Sequence, residues 1–128
     1  MTEQERQLLL KDLCARLPYG VKVLFQVADN LPDIRVFSGK DYDYLRTYHF
    51  IDEFTRCIFK PYLRPMSSMT EEEYKEYRSL KWQVKSADLI FDSKVENLID
   101  WLNEHHFDYR GLIEKGLAIA VTEENNPY

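Results

Sequence analysis

The spacing of the apolar residues changes at the tripeptide PYG, and this change restricts the fold more than any other feature. Before it, residues 2–16 have the spacing of an amphipathic helix, with Thr2 placed to cap the first turn. After it, VKVLFQV (21–27) alternates as a half-buried strand does, and DIRVF (33–37) follows beyond a turn. The sequence therefore predicts a helix followed by an antiparallel hairpin over 21–37.

The next segments are predicted to complete a small β-meander. SGKDYD (38–43) has the composition of a turn, and YLRTYHFI (44–51) is rich in β-forming residues and is expected to be a third strand. Residues 52–59 fit a helix or a strand. An extended linker is expected over 60–69, because the prolines of KPYLRP favour extended, irregular backbone.

Two capping boxes predict helices in the second half of the chain. Thr70 is followed three residues later by Glu73, and Ser93 by Glu96, the spacing at which the two residues cap each other's backbone. The second helix should run from about 94 to 105. The stripes that these helices are expected to bury are Tyr74, Tyr77, Leu80 and Val84 in the first and Val95, Leu98, Ile99 and Leu102 in the second.

The remaining residues are expected to be less regular. A short helix over 109–115 should stop at Gly116, which suits a left-handed C-terminal position. LAIAV (117–121) is expected to be a short strand or a packed segment, and the polar residues 122–128 should form a frayed tail.

These segments predict an α+β fold in a single domain covering residues 1–128. An N-terminal helix and a small antiparallel β-meander occupy 1–59, the linker follows, and a helical C-terminal half occupies 70–121. A length of 128 residues is enough to bury a core. The hydrophobic share of 45% and the charged share of 30% are ordinary for a soluble globular protein.

Composition also disfavours several classes of protein. A net charge of −5 argues against broad nucleic-acid binding. Every apolar run is shorter than the about 18–20 residues that span a membrane, and MTEQERQ lacks the features of a signal peptide. Two cysteines are too few for a disulfide framework, and Cys14 is expected to be a buried thiol on the apolar face of the first helix. We therefore expect a cytoplasmic protein that does not bind membranes.

The stretch HHFDYRGLIEK contains the most suggestive polar cluster. His105, His106 and Asp108 are potential metal ligands or an acid–base pair, but adjacent histidines point about 100° apart around a helix and chelate one ion poorly. The favoured interpretation is structural: His106 packs half-buried at a helix end, and Asp108 caps the following short helix. The sequence thus predicts no catalytic residue, no metal site and no cofactor.

A basic and aromatic stretch, FTRCIFKPYLR, is a second candidate site. Arg56, Lys60, Tyr62 and Arg64 have the chemistry to grip phosphates and stack bases. Alternatively, the rings enter the core while the cations face solvent or meet the acidic helix at 70–77. The net charge of −5 favours this alternative, in which the stretch is structural.

Three stretches are similar to known sequences. LLLKDLCARLPYGVKV (8–23), KPYLRPMSSMTEEE (60–73) and HHFDYRGLIEKGLA (105–118) resemble a group of small proteins from Bacteroides genomes, often in phage-like or other mobile elements. Together they cover about a third of the chain. The resemblance implies an intracellular bacterial or phage accessory protein, and it implies no activity, cofactor or catalytic residue.

We therefore expect a non-enzymatic accessory or interaction protein of a mobile element that acts through a protein partner. The chain contains no G-x-S-x-G, P-loop, G-x-G-x-x-G or H-E-x-x-H motif. The alternative is a nucleic-acid-associated factor that uses Arg56, Lys60, Tyr62 and Arg64. A small hydrolase or metal-dependent enzyme ranks third. The identity of the partner and the oligomeric state are left open.

Overall fold

The computed structural model describes residues 2–27, 30–48, 57–86 and 92–128, and within these ranges it confirms the α+β fold. An N-terminal helix and antiparallel strands are followed by a helical C-terminal half, as expected. The elements in chain order are α1 (Glu3–Arg16), β1 (Lys22–Val27), β2 (Asp33–Val36), α2 (Gly39–Tyr48), β3 (Cys57–Leu63), α3 (Glu71–Ser86), α4 (Asp92–Glu104) and β4 (Ile119–Ala120).

The first helix begins and ends at the residues that its sequence indicates. The Thr2 hydroxyl accepts a hydrogen bond from the Glu5 N–H at 3.1 Å, and the Glu5 carboxylate accepts one from the Thr2 N–H at 3.0 Å. These two bonds satisfy backbone donors that a helix N-terminus leaves unpaired. At the other end, a 3₁₀ turn over Leu17–Tyr19 leads to Gly20, whose φ of +69° lets the chain turn into β1.

The buried face of α1 carries two charged residues. Asp12 and Arg16 are buried on the same side as Leu9 and Leu13, because residues three and four apart share one face of a helix. Cys14 lies on the opposite side and is exposed, so the expectation of a buried thiol is wrong. The helix can turn this face inward because Asp12 and Arg16 neutralise each other there.

The sheet has the strand order β2-β1-β3-β4, with β1 antiparallel to both of its neighbours. The predicted hairpin is confirmed, with a register that runs from Lys22 opposite Val36 to Phe25 opposite Asp33. The third antiparallel strand is β3, which pairs with β1, whereas residues 44–48 of the expected third strand are helical. The short strand β4 is parallel to β3.

Residues 39–48 form helix α2, where a turn and a strand were expected. The Asp41 carboxylate accepts the Ser38 N–H at 3.0 Å, and the Asp41 N–H is 3.4 Å from the Ser38 hydroxyl oxygen. Leu45, one turn further on, is buried in the core. This capping pair and the burial of Leu45 outweigh the β propensity of the tyrosines and threonine that follow. Residues 49–56 lie outside the described residues.

The segment expected to be a linker is an inner part of the sheet. Residues 60–63 form the second half of β3, and a 3₁₀ turn over Met66–Ser68 follows. Pro61 lies opposite Val23, at a position where its missing N–H would face away from β1. The proline therefore removes no bond of the β1–β3 ladder, and it removes none of the β3–β4 ladder because that pairing begins at Tyr62.

The two C-terminal helices begin differently. At α3, the Glu73 carboxylate accepts the Thr70 N–H at 2.9 Å, and the Thr70 hydroxyl accepts the Glu73 N–H at 3.1 Å. The capping box predicted from Thr70 and Glu73 is therefore confirmed. At α4 the helix already includes Asp92, so Ser93 lies within the first turn rather than before it. Residues 87–91, which precede it, lie outside the described residues.

The C-terminal segment is packed rather than frayed. The Tyr128 hydroxyl accepts the Lys22 N–H at 3.0 Å and donates to the Tyr62 carbonyl at 2.7 Å. It thus bridges β1 and β3 where their ladder ends. The Lys22 ammonium also donates to the Pro127 carbonyl at 2.6 Å. These bonds hold residues 122–128, which composition alone suggested would be mobile.

The hydrophobic core lies between α1, α2 and the inner face of the sheet, and the segment after α4 closes it. None of the described helices is both long and apolar enough to cross a membrane. The fully or nearly fully buried core residues are Leu9, Leu13, Val21, Val23, Phe37, Leu45, Phe59, Leu63, Leu112, Leu117 and Ala118.

Candidate anion-binding surface

Helix α4 ends in a tight turn that uses His106. This residue has a left-handed φ of +62°, its N–H donates to the Asn103 carbonyl at 3.1 Å, and the Phe107 N–H donates to the Leu102 carbonyl at 3.0 Å. This is the hydrogen-bond pattern of a Schellman motif, which satisfies carbonyls at a helix C-terminus. The His105 Nδ1 lies 2.8 Å from the Trp101 carbonyl oxygen. The structure therefore places both histidines at the end of the helix.

The environment of His106 keeps its ring uncharged at neutral pH. The ring stacks on Tyr128 with centroids 3.9 Å apart. Burial, together with the positive charges of Arg16 and Arg64, lowers the pKa of His106 to about 4. Burial likewise raises the pKa of the Tyr128 hydroxyl to about 12. Within the described part of the chain, no group of three or more His, Cys, Asp or Glu side chains is arranged to hold a metal ion.

Asp108 caps a series of turns instead of the expected helix. Its carboxylate oxygens accept the N–H groups of Leu112 and Ile113, both at 2.9 Å. Residues 109–115 are not helical, because Gly111 has a φ of +74°, which lies outside the right-handed helical region. The expectation of a helix there is wrong, although Asp108 does bind backbone N–H groups. Further along, Gly116 has the left-handed conformation expected of it, with a φ of +72°.

The same turns are fixed to α1 by a buried ion network that the sequence did not reveal. Asp12 accepts from Arg16 Nε at 2.8 Å and from Arg110 Nη1 at 2.9 Å. Arg16 Nη2 donates to the Phe107 carbonyl at 2.5 Å. The Tyr109 ring lies beside both guanidinium groups. The four-residue spacing of Asp12 and Arg16 indicated that they could pair, but not that they would be buried.

Among the described residues of the predicted basic and aromatic patch, Lys60, Tyr62 and Arg64 do not share one exposed surface. Arg56 lies outside the described residues, Lys60 is partly exposed, and Tyr62 is buried. Arg64 donates to both carboxylate oxygens of Glu73, at 2.7 and 2.8 Å. The hydrogen bonds from Arg64 lower the pKa of Glu73 to about 2. Tyr62 and Arg64 thus follow the second interpretation, in which a ring enters the core and a cation meets the acidic helix.

A different basic and aromatic surface lies on α3. Tyr74, assigned to the buried stripe by its spacing, is instead 51% exposed, and Trp82 is 68% exposed. They belong to one side of the helix, which lines an open groove of about 500 Å³. We call this side the α3 cationic face, and its members are Tyr74, Lys75, Arg78, Ser79, Lys81, Trp82 and Lys85.

The α3 cationic face points away from α4. On the opposite side of α3, Tyr77 stacks on Trp101 with ring centroids 6.2 Å apart, and Glu76 accepts a hydrogen bond from the Trp101 indole at 2.8 Å. Four cations line the groove of the α3 cationic face, and Glu76 is turned toward α4 instead. This local positive charge occurs in a chain with a net charge of −5.

Aromatic rings hold some of these cations in place. The Arg78 guanidinium lies 5.7 Å from the centre of the Tyr74 ring, and the Lys81 ammonium lies 5.2 Å from that of Tyr77. Such contacts orient a cation without neutralising it. The spacing of Tyr74, Arg78, Trp82 and Lys85 was the sequence feature that could have revealed this face, since these residues recur at intervals of three or four.

A second exposed surface lies on the other side of the sheet from the core. Ile34 and Val36 of β2 are each 50% exposed, and Leu31 before them is 90% exposed. In the register of the sheet, Ile34 is opposite Leu24 on β1, which is in turn opposite Lys60 on β3. These side chains form an apolar surface with a cation at its margin.

Comparison with known proteins finds no matching family model, no matching curated protein and no matching solved structure.

Proposed function

We propose that the protein is a non-enzymatic accessory protein of the cytoplasm and that it binds single-stranded nucleic acid on the α3 cationic face. The observation that carries the proposal is the exposure of Trp82 among the four cations that line this groove. Lysine and arginine side chains bind phosphates, and exposed aromatic rings stack on bases. The resemblance to proteins of mobile elements agrees with such an accessory role.

The arrangement of the rings favours a single strand over a duplex. Base faces are accessible to an aromatic side chain only where the bases are unstacked. Trp82 follows Tyr74 by eight residues, which corresponds to about 12 Å along a helix axis. This separation lets the two rings contact different bases of one strand.

The non-enzymatic part of the proposal rests on the roles of the buried or paired carboxylates. Asp12 binds two guanidinium groups, Asp108 binds two backbone N–H groups, and Glu73 is held by Arg64. Carboxylates whose oxygens already accept these hydrogen bonds are poor candidates for general acid–base catalysis, which needs a group free to reach the substrate.

The proposal is tested by fluorescence anisotropy with a labelled oligothymidylate at several salt concentrations. If three or four phosphates are contacted, the plot of log K against log[salt] should have a slope of about −2 to −3. Trp82→Ala should weaken binding by at least about fivefold, since stacking on one base contributes about 1–3 kcal/mol. Absence of binding by the unaltered protein at low salt would overturn the proposal.

Two matched double variants distinguish the contribution of the α3 cationic face to binding from that of the total net charge. Lys81→Glu with Lys85→Glu reverses two charges on the α3 cationic face. Lys11→Glu with Lys115→Glu reverses two exposed charges elsewhere and changes the net charge equally. Only the first pair should abolish binding. An equal effect of both pairs would mean that the oligonucleotide responds to total charge rather than to this surface.

The protein partner expected from the sequence is the second candidate. It is favoured by a separate observation, the exposure of Leu31, Ile34 and Val36 on the outer side of the sheet. Binding of a partner there should survive Lys81→Glu with Lys85→Glu. It should be lost in Ile34→Lys with Val36→Lys, measured by co-precipitation of a labelled partner from the host cell.

A further inference from the structure

The edge strand β2 directs hydrogen-bonding groups away from the sheet. β2 is the first strand in the order β2-β1-β3-β4. The Phe37 N–H binds the Val21 carbonyl at 2.8 Å, and in an antiparallel ladder every second residue faces the same neighbour. Asp33 and Arg35 therefore face β1 with their backbone groups, whereas Ile34 and Val36 direct theirs to the open side.

The residues with outward-facing backbone groups also have exposed apolar side chains. Half of the surface of Ile34 and of Val36 is accessible to solvent. A strand edge that combines outward N–H and C=O groups with apolar side chains is a template for pairing with another strand. Lysine, proline or a bulge within the strand would block such pairing. DIRV contains neither lysine nor proline, Pro32 lies just before it, and its register with β1 is continuous.

We propose that β2 pairs antiparallel with β2 of a second copy of this chain, about a twofold axis that passes through Ile34. The two four-stranded sheets then become one continuous sheet across a homodimer. Ile34 exchanges both backbone hydrogen bonds with its counterpart. This inference goes beyond nucleic-acid binding and does not depend on it.

Charge complementarity selects a second copy as the occupant and selects the register. With the axis at Ile34, Asp33 lies opposite Arg35 of the second copy, and the reverse pair lies on the other side of the axis. With the axis at Arg35, two like charges would lie opposite each other. Arg35 is already oriented by a 2.6 Å hydrogen bond to Asp41 and by its position over the Phe25 ring. It keeps 40% of its side chain exposed for the new contact.

The proposed dimer is weak because the strand is short. β2 has four residues, and interfaces below about 1,200 Å² are typical of transient association. We therefore expect a concentration-dependent dimer with a dissociation constant on the order of 10–100 µM. Sedimentation velocity over a concentration range that spans these values should show a monomer converting to a dimer.

Ile34→Pro tests the proposed pairing directly. Its N–H faces the open side, so proline removes an edge donor and leaves the β1–β2 bonds in place. The dimer should weaken by at least tenfold, with the unfolding midpoint nearly unchanged. Ile34→Thr is the matched control, because threonine keeps the N–H and a high β propensity, and its effect should be smaller.

A charge variant tests the register and does not depend on tolerance of proline. Asp33→Lys places like charges opposite each other, so it should weaken the dimer, and high salt should restore much of the loss. Asp33→Asn should be intermediate. A monomer at every concentration overturns the inference, and so does a dimer that Ile34→Pro and Asp33→Lys both leave unchanged. A monomer that still binds oligothymidylate would overturn this inference alone.

Discussion

The turns at residues 105–117 and the α3 cationic face use arginine in opposite ways. Where the turns pack on α1, Arg16 of that helix is completely buried and is bonded to Asp12 and to the Phe107 carbonyl. On the α3 cationic face, Arg78 lies over the Tyr74 ring and lines the groove with three lysines. The difference teaches that the partners of a cation, rather than its presence in the sequence, indicate whether it serves the fold or a ligand.

Energetics support this distinction. A buried charge is costly to desolvate and is tolerated only when it is paired and hydrogen-bonded, as Arg16 is. An exposed cation has little effect on folding in either direction. An exposed tryptophan forgoes the burial that would stabilise the fold, so Trp82 contributes less to stability than its size allows. The buried network at the turns therefore contributes to the stability of the fold, whereas the α3 cationic face contributes little.

The largest expected effect is that of breaking the buried network. Asp12→Asn removes the counter-ion of Arg16 and Arg110 and should lower the free energy of unfolding by about 3–5 kcal/mol. Urea denaturation followed by far-ultraviolet circular dichroism measures this loss. Asp43→Asn, which alters an exposed carboxylate on α2, is the control and should change stability by less than about 0.5 kcal/mol. Equal effects of the two substitutions would contradict the assignment.

Removing the cap of the turns should have the next largest effect. Asp108→Ala leaves the N–H groups of Leu112 and Ile113 without their acceptor and should lower stability by about 1–2 kcal/mol. Glu114→Ala, at an exposed position in the same turns, should have little effect. A chelator should leave the melting temperature of the unaltered protein unchanged. A large fall on chelation would instead indicate that Asp108 and the histidines hold a metal ion.

The burial of His106, together with the nearby charges of Arg16 and Arg64, should make stability depend on pH. The folded-state pKa of His106, about 4, is below its ordinary value of 6.5, so the unfolded chain binds a proton that the folded chain does not. Stability is complete above pH 6.5 and is lost as the pH falls toward 4, by roughly 1 kcal/mol after allowance for partial exposure. His106→Asn keeps a residue suited to the left-handed conformation and should abolish this dependence. Denaturation midpoints measured from pH 7 to pH 4 for both proteins provide the check.

The smallest stability effect should come from the α3 cationic face. Arg78→Ala should change the free energy of unfolding by less than about 0.5 kcal/mol, because no ion pair is lost. It should nevertheless weaken oligothymidylate binding and reduce the magnitude of the salt slope by about 0.7, the contribution of one phosphate. Denaturation and anisotropy on the same sample measure the two effects. A substantial loss of stability would mean that this arginine serves the fold, and the contrast between the two regions would fail.

Local sequence features predicted the elements that local interactions determine. The capping residues Thr2 and Thr70 and the alternation in 21–27 correctly indicated α1, α3 and β1. Helix α2 was assigned wrongly because the β propensity of its residues was given more weight than the pair formed by Ser38 and Asp41. The β propensity of individual residues is a weak guide wherever a capping interaction and the burial of a side chain both favour a helix.

Features that depend on distant residues escaped prediction. The position of β3 inside the sheet, which buries Tyr62, depends on pairing with β1 rather than on the composition of KPYLRP. The pairing of Arg64 with Glu73 removed one cation from the predicted patch. On α3, the sequence specified a helix correctly, but which side packs against α4 is decided by contacts with Trp101.

The buried network also has a consequence for the order in which the protein folds. The hydrogen bonds from Arg16 to Phe107 and from Arg110 to Asp12 join residues 91 and 98 positions apart. Closing such long loops costs chain entropy before any contact compensates for it, whereas the hairpin of β1 and β2 forms locally. We therefore expect these bonds to be absent from the folding transition state. Asp12→Asn should then accelerate unfolding and leave the folding rate almost unchanged.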